Sequence, residues 1–165
     1  MSRLKAALGS ALFLVLAPGV VAGLLPWLAT RWEPAGAPAP LEALGAVLIL
    51  AGAGVLLHAF VRFVAEGSGT PAPVAPTARL VVGGLYRYVR NPMYLAVGAT
   101  IVGQALLLGR PGLLAYAAGF FATVAAFVHW YEEPALRRRF GATYQAYLRD
   151  VPGWLPRRRP LDGGG

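Results

Sequence analysis

Glu132 and Glu133 are adjacent carboxylates at the end of an uncharged apolar run, 113–131. Ionisable groups at that depth are functional candidates by default, because each needs solvent, a cation or a ligand. A carboxylate so placed can hold a cationic group or take a proton. His129 lies three residues earlier, on the same face if the segment is α-helical. A second cluster reads Tyr86-Arg87-Tyr88-Val89-Arg90-Asn91-Pro92-Met93-Tyr94, with cations and aromatics interleaved. Pro92 turns Asn91 away from helix and suits the first turn of a following one. The Asn91 side chain then reads as an N-cap, and the helix N-terminus as an acceptor for an anion. There is no cysteine, and His58 and His129 are too few for a His-based metal site. No metal is expected.

These residues must be positioned by elements that are mostly apolar. Hydrophobic residues make up 57% of the 165 positions and charged ones 13%, against about a quarter charged in a soluble domain. So small a domain has too little interior to hide that much apolar surface. The excess faces lipid, which excludes a soluble enzyme, a nucleic-acid module and a disordered tail. Nucleic acid is not expected as a partner despite the net charge of +8.

A membrane crossing takes ~20 apolar residues as helix. Four stretches qualify or nearly do: 6–29, 41–64, 93–109 and 113–131. Arg110-Pro111-Gly112 is so short a link that the last two form an antiparallel hairpin. The fold class expected is an all-α integral-membrane protein, a single domain over 1–165, with cytoplasmic segments 65–92 and 132–165. A cleaved signal peptide is a minor alternative for the first stretch, which is long for one. With four spans, thirteen of the fifteen Lys and Arg residues fall on the side of both termini, and only Arg31 and Arg110 on the other. That bias puts both termini in the cytoplasm. Trp27 and Trp32 fall in the outer interfacial belt, Trp130 and Trp154 in the inner one. Heavy use of Ala, Gly, Pro and Arg suggests a GC-rich genome and a bacterial inner membrane.

Pro18 should kink the first span. Gly45, Gly52 and Gly54 in the second read as grooves for close helix approach. The segment 33–40 reads as a plain connector, and Gly67 to Pro73 as extended chain. After Glu132-Glu133, Pro134 should end one helix and start another. Leu136, Phe140, Tyr144, Tyr147, Leu148 and Val151 then recur at three- and four-residue steps, with Arg137, Arg138, Arg139 and Arg149 opposite. This predicts an amphipathic helix on the cytoplasmic membrane face, ended by Pro152.

Gly84-Leu85-Tyr86, Arg90-Asn91-Pro92-Met93-Tyr94, Glu132-Glu133, Phe140-Gly141 with Tyr144 and Tyr147, then Val151-Pro152 and Pro156 follow one pattern. It resembles the integral-membrane methyltransferases: isoprenylcysteine carboxyl methyltransferase with its bacterial relatives, and the phospholipid N-methyltransferases. The resemblance spans roughly 77–156. It implies S-adenosyl-L-methionine as cofactor, in a cytoplasm-facing pocket, with a lipid or lipophilic acceptor reaching it from the bilayer. It implicates Leu80, Val81, Tyr86, Arg90, Asn91, Pro92, Met93 and Tyr94 in the cofactor pocket. Glu132 and Glu133 would bind the cofactor and act in catalysis, with His129 a weaker candidate. Carboxyl methyltransferases usually carry His where this chain has Asn91, so Asn-Pro-Met-Tyr is closer to the phospholipid branch. The Gly52-Ala53-Gly54 triplet resembles a glycine pair of that branch.

Methyl transfer from a sulfonium is an in-line displacement. It needs an aligned nucleophile and excluded water. A carboxylate acceptor needs no base, whereas an amine must lose a proton. Two other classes compete: an NADPH-dependent sterol-type reductase, and a non-catalytic membrane scaffold keeping the fold. The acceptor's identity and the oligomeric state are not set by these residues.

Overall fold

The computed structural model describes Leu12, residues 16–67 and residues 79–161. The start of the first expected span and the stretch 68–78 lie outside the described residues. The described chain is helical. α1 (Leu16–Thr30) contains a π-helical segment, Val20–Leu24. α2 (Ala39–Gly67) is the longest helix. A short 3-10 turn, Gly84–Arg87, leads into α3 (Pro92–Leu108). α4 (Gly112–Phe127) continues through a second π segment, Val128–Glu132, into α5 (Glu133–Asp150).

Two of these helices are long and apolar enough to cross a membrane: α2 over Ala39–Arg62, and the continuous helix that begins at Gly112. Leu16–Thr30 and Pro92–Leu108 are apolar but shorter. At about 1.5 Å per residue, the 17 residues of α3 rise about 26 Å.

α2 and α3 approach most closely, and glycine permits it. A Cβ on Gly45 would lie 2.5 Å from the Gly103 carbonyl oxygen, and one on Gly103 would lie 2.7 Å from that of Gly45. Gly52 meets the Ala96 carbonyl and the Thr100 hydroxyl. Gly54 faces open space. Two of the three expected groove glycines therefore pack and one does not.

Inside the bundle, Ala22, Val97, Ile101 and Ala117 form a core cluster from α1, α3 and α4. Polar groups there must find internal partners. Gln104 donates to the Ala22 carbonyl at 2.6 Å and accepts from Trp32 Nε1 at 3.1 Å. Tyr116 donates to the Val21 carbonyl at 2.7 Å. Both carbonyls belong to the π segment of α1, two residues beyond Pro18, where the sequence predicts a kink. The connector 33–38 is more than a plain link. Ala35 N donates to the Leu108 carbonyl at 2.8 Å, and Arg110 Nε donates to that of Glu33 at 3.1 Å. These bonds tie it to the α3–α4 turn at one end of the bundle.

At the opposite end, the helix does not stop at Pro134. Proline lacks an N–H and crowds the preceding turn. The wider π turn over Val128–Glu132 absorbs it, and the chain continues as helix. The break comes later, at Gly141, whose φ of 52° and ψ of −126° lie outside the helical range. An L side chain is strained in that left-handed half of the map. The apolar stripe that follows faces protein. Tyr144, Tyr147 and Val151 are buried and pack with Leu80, Leu136, Phe140, Leu148 and Leu161.

Candidate functional site

A cavity of about 230 Å³ lies where α1, α3 and α4 meet the 3-10 turn. One wall is apolar: Ala17, Pro18, Val21, Val97, Phe120 and Val124. Its other end is polar, lined by Tyr86, Arg90, Asn91, Pro92, Met93, Tyr94 and Glu132. Seven residues singled out in the sequence thus converge at one end.

The adjacent carboxylates are parted by the helix. Glu132, just past the apolar run, faces the cavity and accepts from the Tyr94 hydroxyl at Oε2, 3.1 Å away. Burial raises its carboxyl above the ordinary range. The bond from Tyr94 opposes that shift, and the charge of Glu133 adds to it. Glu133 instead takes Arg90 Nη1 at Oε1, 2.6 Å away, with Arg137 at 3.7 Å from its other oxygen. Both partners of the Arg90–Glu133 pair are mostly buried. Arg90 Nε is itself buried with no hydrogen-bond partner among the described residues.

His129 does not share the site. It is exposed, with its ring 5.9 Å from that of Trp130. The expectation of a common face with Glu132 assumed α-helical spacing. The π turn moves a three-residue neighbour off that face.

Asn91 begins α3, yet its side chain makes no cap hydrogen bond. The expected N-cap is therefore absent. The carboxamide Nδ2 donates instead to the Gly153 carbonyl at 3.1 Å. Pro92 fills the first helical position, as its fixed φ suits. Leu80 and Val81 stand away from the cavity. Val81 packs with Ala59, Tyr86 and Met93, and Leu80 joins the α5 cluster.

Tyr86 is fixed from α5, since the Tyr147 hydroxyl donates to its carbonyl at 2.7 Å. Burial pushes the Tyr86 hydroxyl well above its ordinary pKa, with Tyr147, Glu132 and Tyr94 adding smaller contributions. Tyr147 is raised too, chiefly by burial, with Arg90 opposing. Both remain neutral donors at any physiological pH.

The sequence signals neither the apolar wall nor a place at the site for Gly153 and Trp154. The sequence puts Trp154 only in the interfacial belt, whereas its ring centroid lies 6.4 Å from that of Tyr94. A Pro-Gly-Trp run carries no chemical signal by itself, so only the chain's return to the loop exposes the contact.

An apolar helical bundle with a cavity that carries a carboxylate and an arginine is the frame expected of a membrane protein. The phospholipid methyltransferase family model matches residues 41–143, and the chain belongs to that family. No curated protein and no solved structure matches the chain.

Proposed function

We propose that this chain transfers a methyl group from S-adenosyl-L-methionine to an amine-bearing, phospholipid-type acceptor held in the membrane. The observation that carries this reading is Glu132, a partly buried carboxylate lining the cavity and held by Tyr94 at Oε2. The cofactor's amino-acid end carries a carboxylate and an ammonium. Arg90, with its unpartnered buried Nε, supplies a donor that fits the carboxylate. Asn91 and Tyr86 complete the polar end. When bound, the cofactor supplies an electrophilic methyl on a sulfonium. Glu132 takes the acceptor amine's proton at Oε1, the oxygen that Tyr94 leaves. Tyr94 holds the carboxylate's orientation. Ala17, Pro18, Val21, Phe120 and Val124 exclude water and receive the acceptor's apolar portion.

The charge asymmetry and the two ends of the bundle support four crossings, with the cavity's polar end and both termini in the cytoplasm, in a bacterial inner membrane. All 165 residues are then one domain. Arg137, Arg138 and Arg139, exposed on the first half of α5, face lipid phosphate or water as an amphipathic element would.

The test is calorimetry on purified protein in nanodiscs with S-adenosylmethionine and, separately, NADPH, followed by transfer of labelled methyl to phosphatidylethanolamine in the disc. Cofactor binding with labelled lipid is the expected result. Binding of NADPH, or of neither, would overturn the reading.

A further inference from the structure

The segment from Pro152 to Leu161 runs back along the loop that precedes α3 as an antiparallel strap. Arg90 N donates to the Pro152 carbonyl at 2.9 Å, Arg157 N to that of Tyr88 at 2.9 Å, and Leu161 N to that of Arg87 at 3.0 Å. Two side chains add to this ladder. Arg87 Nε donates to the Leu161 carbonyl at the far end, and Asn91 Nδ2 to the Gly153 carbonyl at the cavity end.

Three residues of the cavity's polar end touch this strap. Arg90 lies beside Gly153, where a Cβ would come 3.1 Å from Nη2. Asn91 is bonded to it, and Tyr94 meets Trp154. Arg90 also holds Glu133, and Tyr94 holds Glu132. The strap's seat is therefore coupled to both carboxylates.

We propose that Asn91 is a positioning residue: its carboxamide latches the C-terminal strap against the polar end of the cavity, and so sets Arg90 and Tyr94. The proposal rests on that cavity being the functional site. Two facts favour a latch over a ligand contact. Asn91 is buried, so its amide needs a partner. It also forgoes the cap that an asparagine at a helix start ordinarily makes. A donor spent on a distant carbonyl is spent on tertiary position.

The test uses the full chain in nanodiscs, trypsin, and mass spectrometry of the cut sites. Arg157 and Arg158 report on the strap, and Arg138 on α5 serves as the internal reference. Asn91→Asp keeps the size and removes the donor. Gly153→Val crowds the same contact from the strap side, against Arg90 Nη2 and Asn91 Nδ2. Both should speed cleavage in the strap roughly tenfold, as expected for one lost buried hydrogen bond, with cleavage at Arg138 unchanged. Asn91→His retains an N–H donor and should restore slow cleavage. Strap cleavage in Asn91→Asp equal to wild type would overturn the latch. So would loss of S-adenosylhomocysteine binding in Asn91→Asp with the strap still protected, since the carboxamide would then be a ligand contact. A wild-type protein that shows the expected cleavage pattern but binds no S-adenosylhomocysteine would keep the latch and sink the methyltransferase reading.

Discussion

The Tyr94 hydroxyl donates to Oε2 of Glu132 at 3.1 Å, joining the first turn of α3 to the last residue of the π segment before α5. That bond occupies Oε2 of Glu132, which lines the cavity, while Glu133, the next residue, is taken by Arg90. Two adjacent carboxylates thus have different surroundings, and their substitutions should have different consequences.

Glu132→Gln should abolish the proton acceptor while leaving the fold intact. Methyl transfer to an amine should fall about 10²- to 10⁴-fold, the range for losing a general base. Glu133→Gln should act mainly on stability. It leaves the Arg90 guanidinium mostly buried without its carboxylate, which costs about 2–3 kcal/mol, somewhat below a fully buried pair. Unfolding titrations and labelled-methyl transfer on both variants separate the two. Equal loss of activity at equal stability would reject the division.

Tyr94→Phe tests the direction of the Glu132 shift. The Tyr94 bond favours the charged carboxylate against burial. Without it, the Glu132 pKa rises further, and the base form is lost at a higher pH as the medium is acidified. The acid limb of the rate profile should therefore move to higher pH. A limb that stays in place or moves down would detach Tyr94 from the titration.

The apolar helices, the hairpin and the two chemical clusters could be read from the sequence, because length, apolarity and the residues around Pro92 are local signals. What could not be read depends on where distant backbone comes to rest. Asn91 looks like a cap until the Gly153 carbonyl is brought beside it. His129 and Glu132 share a face only if the helix stays α, and the π turn is a response to Pro134 that spacing rules do not anticipate. The stripe from Leu136 to Val151 has the right period for a membrane-surface helix. Its partners, Leu80 and Leu161, are protein, because the strap and the loop fold under it.

Gly141→Ala should cost about 1–3 kcal/mol, the range for a side chain held in sparsely populated backbone space. Its φ of 52° and ψ of −126° bend α5, and nothing lies within 4 Å of the added Cβ, so strain alone is measured. A stability change within experimental error would show that the bend relaxes freely.

Gly45, Gly52 and Gly54 look alike in the sequence but should separate in mutagenesis. At Gly54 an alanine meets open space and gains helix propensity, so Gly54→Ala should be neutral or slightly stabilising. Gly103→Val and Gly45→Val force a side chain into facing backbone at 2.5–2.7 Å. Overpacking of that kind costs about 1–3 kcal/mol. Equal melting behaviour for all three would mean that α2 and α3 do not touch as described.

Reporter fusions test the orientation that the charge count predicts. Arg31 and Arg110 belong to the end where Arg110 Nε holds the Glu33 carbonyl, and Arg87 and Arg90 belong to the end with the strap. A reporter active only in the cytoplasm should work when fused after Arg159 and fail when inserted within 33–40. A periplasmic reporter should do the reverse. The positive-inside rule acts through short loops and charges near the span ends, so replacing Arg87 and Arg90 alone should weaken the asymmetry without inverting it. Reporters active on the same side at both positions would remove the odd number of crossings between 40 and 159. A reporter after Arg159 found outside the cytoplasm would leave the cavity's polar end without the cytoplasmic access that a water-soluble cofactor requires.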